Sequence, residues 1–270
     1  MTTSKSMQAT GHKPVIVVKI GGSMIDQLTD HFYKSLAALT DRYHCVVVHG
    51  GGPAITALLK NLQIEGEFYN GLRKTTPETL EVVKMTLGGK VSAQVTSALC
   101  KHGVAALGLK GSDGGLLKAG LVDEEKLGLV GDIEQVNTSL IHQLLNSGYL
   151  PVIAPLAVTV DGETVNVNAD NAAAAVADAL QAEKLMFVTD VPGILNGEHI
   201  IERITPPEIH SLMESGVIYG GMIPKVNSAI EALSAKLKEV LVVSGEQSLL
   251  QDGVIKGTTI YHELKEGAVR

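Results

Sequence analysis

The 270-residue sequence contains no tryptophan, and aromatic residues make up only 3% of it. That excludes a surface of stacked aromatics for single-stranded nucleic acid. Positive charge is scarce too. The 22 Lys and Arg stand against 29 Asp and Glu, a formal net charge of −7. A long polyanion is therefore not the expected partner, although a local cationic pocket remains allowed. The two cysteines, Cys45 and Cys100, are too few for a disulfide framework and are expected to be buried free thiols. No secretory apolar segment is visible, and no apolar run reaches the ~18 residues that span a bilayer. The expected location is cytoplasmic, with no membrane and no nucleic acid among the partners. Residues 1–13 are polar and read as a flexible arm, not a targeting signal.

Several chemical signatures are also missing. There is no GxxxxGK[ST] phosphate loop, and no GxGxxG follows a strand. The "HGGG" at 49–52 is spelled like an esterase oxyanion loop, but the chain has no GxSxG turn to supply the nucleophile. The histidines show neither HxxxH nor HExxH spacing, so no metal is expected to be held by protein side chains.

What is present is Ala, Val, Leu, Ile and Gly in abundance, within 45% hydrophobic content. The length suffices for one large α/β domain or two small lobes. Short branched core residues suit parallel strands covered by helices on both faces. Strands are predicted at 14–20, "CVVVHGGG", "VAALGL", "YLPVIAP", "KLMFVTD", "EVLVVSG" and "TTIYHE". Helical patterns fall between them: 26–40, "PAITALLKNL" with Pro53 at its first position, a long helix from Thr76-Pro77-Glu78, "NTSLIHQLLNSG", "ADNAAAAVADALQA", "TPPEIHSLMESG" and "MIPKVNSAIEALSAKL". The alternation predicts a mostly parallel open sheet between helices, an αβα sandwich. Two hairpins are expected at its edges, one over 113–135 and one turning at Asp161-Gly162.

Several polar groups are placed for chemistry. Gly21-Gly22 ends the first strand and Gly50-Gly51-Gly52 the second. Successive N–H groups there, with a helix N-terminus behind them, form an anion cradle that a Cβ would obstruct. Lys19 stands beside the first glycine pair, and Lys225 near the start of a late helix; lysine is costly to bury unless it meets an anion. Arg73, in a loop before a helix, can grip a carboxylate with two parallel hydrogen bonds. Asn166 and Asn168 alternate on a strand and so share a face, with Asp170 well placed to cap the next helix. Asp190, Pro192 and Gly193 make a strand-end turn that fits the border of a base or ribose, and equally an ordinary turn.

Taken in order, "VKIGGS", "VHGGGP", "NGLR", "NVNAD", "TDVPGI" and "GGMIPKV" resemble the amino acid kinase superfamily, over residues 14–262. Within it the chain looks like the branch acting on N-acetyl-L-glutamate. The resemblance implies transfer of the γ-phosphoryl group of ATP, with its bound Mg2+, to the substrate side-chain carboxylate. It implies that Lys19 and Lys225 flank the transferring group and that Asp170 holds both ammonium groups. It implies phosphate and substrate donors at Gly21, Gly22, Gly51 and Gly52, Arg73 on the α-carboxylate, and Asn166 and Asn168 near the acylated amino acid. Asp190, Val191, Pro192 and Gly193 would border ATP. The lobes would be 14–178 for the acyl amino acid and 179–270 for ATP, sharing one sheet. Feedback-inhibited relatives carry a longer N-terminal helix, so an arginine-insensitive homodimer is expected. An acylated aminoadipate, one methylene longer, remains an alternative substrate, and a non-catalytic sensor an alternative role. A carboxylate acceptor, with an ordinary pKa of ~4.3, is already ionised at neutral pH and needs no general base.

Overall fold

The structure, a computed structural model, describes residues 13–262; the expected arm, apart from Lys13, lies outside the described residues. Strand β1 (Val15–Ile20) leads to α1 (Asp30–Leu39), β2 (His44–His49) and α2 (Gly52–Asn61). Helix α1 starts later than residue 26. Residues 22–27 form turns, and the Thr29 hydroxyl caps the helix by accepting from the Phe32 amide. Pro53 is the second residue of α2, after Gly52.

A tight hairpin follows, β3 (Phe68–Tyr69) and β4 (Leu72–Arg73). It turns on Asn70 and Gly71, both at positive φ, as the favoured hairpin turn requires. Arg73 thus lies in a strand and not in a loop; a two-residue strand is too short to show a period. The long helix is α3 (Pro77–Val83) and α4 (Ser92–Lys101), joined by a π-helical stretch over Lys84–Val91. Gly88 in that stretch admits the Lys110 side chain, whose Cδ would lie 2.9 Å from a Cβ there.

Next come β5 (Ala106–Lys110), β6 (Leu117–Leu121), α5 (Glu124–Leu127), β7 (Val130–Val136), α6 (Thr138–Asn146) and β8 (Leu150–Ala154). Then follow β9 (Leu156–Val158), β10 (Thr164–Val167), α7 (Ala169–Ala179) and β11 (Lys184–Thr189). The last part comprises β12 (Leu195–Asn196), β13 (His199–Ile200), β14 (Arg203–Ile204), α8 (Pro206–Glu214), α9 (Met222–Ala232), β15 (Glu239–Ser244), β16 (Leu250–Gln251), β17 (Val254–Ile255) and β18 (Thr258–Tyr261). Helix α9 stops before residue 237 because Ser234 redirects the chain. Its hydroxyl accepts from the Leu237 amide and donates to Asp178.

The main sheet has eight strands in the order β14-β18-β15-β11-β1-β2-β8-β5. From β15 to β5 the neighbours are parallel, and only β18 runs antiparallel to β15. β1 pairs with β11, so strands from both expected lobes share one sheet. Its faces are covered separately. Val15, Val17, Val46 and Val48 pack with α6, α7, α8 and α9, while Ile16, Val18, Ile20 and Val47 pack with α1 and α4. This is the αβα sandwich expected from the continuous apolar strands.

The two hairpins do not sit on the sheet edge. β6, β7, β9 and β10 close on one another as a small barrel, order β10-β7-β6-β9, which buries Leu117, Ala119, Val130 and Val165. Closure removes edges that an open hairpin would leave exposed. Cys45 is buried as expected, but Cys100 is exposed, since it lies on the outer side of α4. No helix among the described residues is long and apolar enough to cross a membrane.

Candidate active site

The carboxyl ends of β1, β2, β8 and β11 face one side, where ligands bind in open parallel sheets. A cavity of about 410 Å³ lies there, lined by Lys19, Gly22, Gly51, Arg73, Asn166 and Asp170, among others. β1 is buried except at Lys19, its one partly exposed residue. Strand alternation puts Lys19 on the face of Val15 and Val17, toward α7. The first turn of α7 carries Asp170, and Lys19 Nζ lies 2.6 Å from Asp170 Oδ1. The two form an ion pair.

Gly22 lies where the two glycine loops cross. A Cβ on Gly22 would be 2.6 Å from Gly51 N and 2.8 Å from Gly52 N, distances that only backbone without side chains permits. Among the described residues, the amides of Gly22, Gly51 and Gly52 have no acceptor. Gly51 and Gly52 also open α2, which has no side-chain cap, so the positive end of its dipole adds to those free donors. The arrangement is an anion cradle of backbone N–H groups.

Arg73 is buried. Its Nη2 donates to Thr56 Oγ1 at 2.7 Å and to Gly52 O at 3.2 Å, and its guanidinium lies 4.6 Å from the Phe68 ring centroid. Among the described residues Nη1 is buried without a partner. Among the described residues Arg73 forms no ion pair, and burial lowers its pKa. A buried cation lacking its anion is costly.

Asn166 and Asn168 both line the cavity, by different means. Asn168 lies past the end of β10 and caps α7, accepting from the Asp170 and Asn171 amides. The cap is therefore Asn168 and not Asp170, because the helix begins one residue earlier than Asp170. Asn166 Nδ2 donates to Thr75 Oγ1 at 3.1 Å, and Thr75 Oγ1 donates to Arg73 O at 2.9 Å. A carbonyl can only accept, so this chain fixes the amide with its nitrogen on Thr75. Thr75 was not among the expected site residues; its link to Asn166 is long-range and leaves no local signal.

Lys225 lies in α9, and its ammonium pairs with Asp190, not Asp170. The hydrogen bond from Lys225 holds the Asp190 carboxyl below the usual range. Asp170 therefore does not hold both lysines: Asp190, one residue past the end of β11, takes Lys225. Lys19, Asp170 and Lys225 nevertheless line one further cavity, of about 140 Å³, with Thr189 and Ser228. Beside it, Val191, Gly193, Ile194, Val217, Tyr219 and Met222 line an apolar cavity of about 240 Å³. Of these only Val191 and Gly193 were expected; the others carry no polar signature in the sequence.

An αβα sandwich that gathers free backbone amides, a buried arginine and two lysine–aspartate pairs at the carboxyl edge of its sheet is an enzyme scaffold. The residues that build it fall within 14–244, the span that matches the amino acid kinase family. The acetylglutamate kinase of Bacillus velezensis is 49% identical over 252 residues, covering 93% of this chain and 98% of that protein. That of Bacillus licheniformis is 50% identical over 246 residues, covering 91% and 95%. A crystal structure from Streptococcus mutans UA159 superposes with a TM-score of 0.79 at 33% identity, covering 92% of this chain and 99% of that one. The chain belongs to the amino acid kinase family.

Proposed function

We propose that this chain transfers the γ-phosphoryl group of MgATP to the side-chain carboxylate of N-acetyl-L-glutamate, giving the acyl phosphate of arginine biosynthesis. The observation that carries the reading is Arg73, a buried guanidinium whose Nη1 has no partner and that pairs with no carboxylate among the described residues. The substrate α-carboxylate supplies that partner, and Asn166 and Asn168 flank the acylamino group. The sign of the cradle agrees: free amides at Gly22, Gly51 and Gly52 stabilise oxygens that gain charge during transfer.

The apolar cavity beside Asp190 fits a purine base, with Val191, Pro192 and Gly193 at its border, while Gly21 and Gly22 approach the phosphates. Mg2+ arrives as part of MgATP and neutralises phosphate charge there. Asp170 and Asp190, the carboxylates nearest the phosphates, are each engaged by a lysine. The acceptor is already an anion, so the chain's task is alignment and neutralisation, not proton abstraction. Lys19 and Lys225 converge from opposite ends of the sequence for that purpose, and Asp170 orients Lys19. The reading places the acyl amino acid over the lobe 14–178 and ATP over 179–270. We further propose that the protein is a cytoplasmic homodimer. The outer strand β5, with Leu107 exposed, offers a surface for pairing, and a monomer in sedimentation equilibrium would contradict it.

The direct test is ADP release measured with N-acetylglutamate, glutamate and N-acetyl-aminoadipate side by side. Turnover with the first far above the others is expected; no turnover with any of them would defeat the proposal. Two variants probe the assignments. Asp170→Asn should lower kcat by about 10- to 100-fold while the pH profile of kcat between pH 6 and 9 gains no inflection. A new inflection would mean that Asp170 moves a proton. Arg73→Lys should raise KM for the acyl amino acid by about 10- to 100-fold, with kcat within a few-fold, because it removes a charge-assisted contact worth roughly 1.5–3 kcal/mol. An unchanged KM would place the α-carboxylate elsewhere.

A further inference from the structure

His49 ends β2 directly before the glycine loop, and none of the roles above uses it. Its side chain is fully buried, and strand alternation sets it on the face of Cys45 and Val47. Nδ1 lies 3.0 Å from the carbonyl oxygen of Gly50. A carbonyl cannot donate, so Nδ1 carries the proton and donates to it. Burial pushes the pKa of His49 down, which leaves the ring neutral and Nε2 a bare acceptor. Among the described residues Nε2 has no partner, and a buried acceptor in that state costs stability. A leucine would fill the same apolar layer without that cost. What leucine lacks is the Nδ1 proton.

That proton acts on a particular peptide. The Gly50–Gly51 bond is trans and planar, so its N–H points away from its C=O. Holding Gly50 O against the ring turns the Gly51 N–H in the opposite direction, toward the cavity that Gly51 lines. The Gly51 amide has no acceptor in the protein among the described residues and lies against Gly22. The groups on either side are bonded, the Gly50 amide to Ile20 O and the Gly51 carbonyl from the Ile55 amide, but among the described residues this peptide's own C=O has no partner besides His49. We propose that His49 is a positioning residue that clamps the Gly50–Gly51 peptide so that the Gly51 N–H is held ready for the oxygens of the reacting groups. The inference rests on the phosphoryl-transfer reading for its kinetic consequence, but the clamp itself is a property of the free protein.

The test uses the full chain with three substitutions. Asparagine places its Nδ2 as many bonds from Cα as Nδ1 of histidine; glutamine places its amide one bond too far; leucine has no donor. His49→Leu and His49→Gln should lower kcat by about 30- to 100-fold, somewhat less than the roughly 10²- to 10³-fold cost of deleting an oxyanion donor outright. KM for both substrates should stay within about threefold. His49→Asn should recover kcat to within about fivefold of the parent. In 15N-glycine-labelled protein without substrates, the Gly51 amide resonance should shift in the leucine and glutamine variants and return in the asparagine variant. A His49→Leu enzyme with parental kcat, or equal losses in all three variants, overturns the proposal. If His49→Leu does not fold, the contrast between asparagine and glutamine decides. An unmoved Gly51 resonance in the glutamine variant overturns the clamp even if the parent proves inactive as a kinase.

Discussion

Lys225→Ala is expected to lower kcat by about 10²- to 10³-fold while KM for N-acetylglutamate changes by less than about fivefold, read by steady-state ADP release. An ammonium aimed at charge that develops during transfer stabilises the transition state more than the ground state, and losing one such donor costs roughly 3–4 kcal/mol. The structure supplies a competing explanation. Lys225 is bonded to Asp190, so its removal also leaves that carboxylate without its partner, in a turn beside the apolar cavity. Asp190→Asn separates the two. If Lys225 acts only by holding Asp190, the two variants lose kcat alike. If the ammonium acts on the transferring group, Asp190→Asn is much milder, and KM for ATP moves more than kcat. An unchanged kcat in Lys225→Ala would remove Lys225 from the chemistry altogether.

Gly22→Ala is the second large effect. A Cβ there would sit 2.6 Å from Gly51 N, 2.8 Å from Gly51 Cα and 2.8 Å from Gly52 N. All three are backbone atoms, so no side-chain rotation relieves the clash and the loops must separate. Overpacking of this kind costs about 1–3 kcal/mol of stability. The larger loss is catalytic, because the displaced amides are the proposed cradle; kcat/KM should fall by at least about 10²-fold. Gly52→Ala is the control for stability. A Cβ on Gly52 meets nothing within 4 Å, so its unfolding free energy should stay within about 0.5 kcal/mol of the parent. Denaturant titration of both variants checks the pair; equal stability for Gly22→Ala and the parent would show that the loops do not press on each other as described.

The contrast between these two glycines shows how far the sequence can be read. Both appear in it as members of strand-end glycine runs, and both were assigned to the anion cradle. Only the crossing of two loops distinguishes the one that cannot accept a methyl group from the one that can. Arg73 is a similar case. Its identity suggested a carboxylate clamp, but its burial, its bond to Thr56 and its lone Nη1 come from the fold of a hairpin too short to have a period. Thr75 and the apolar cavity at Ile194, Val217 and Tyr219 had no sequence signal, because an isolated threonine or valine reads the same in any core.

The sequence by itself determined the alternation of strands and helices, the burial of the sheet on both faces and the presence of cationic and glycine-rich strand ends. These follow from residue period and backbone freedom, which act over a few neighbours. The tertiary structure decided which groups meet: the separate pairing of Lys19 with Asp170 and Lys225 with Asp190, and the closure of two expected edge hairpins into a barrel. Such contacts depend on how crossover helices settle on the sheet. Those angles are set by the summed packing of many distant side chains, which no local stretch encodes.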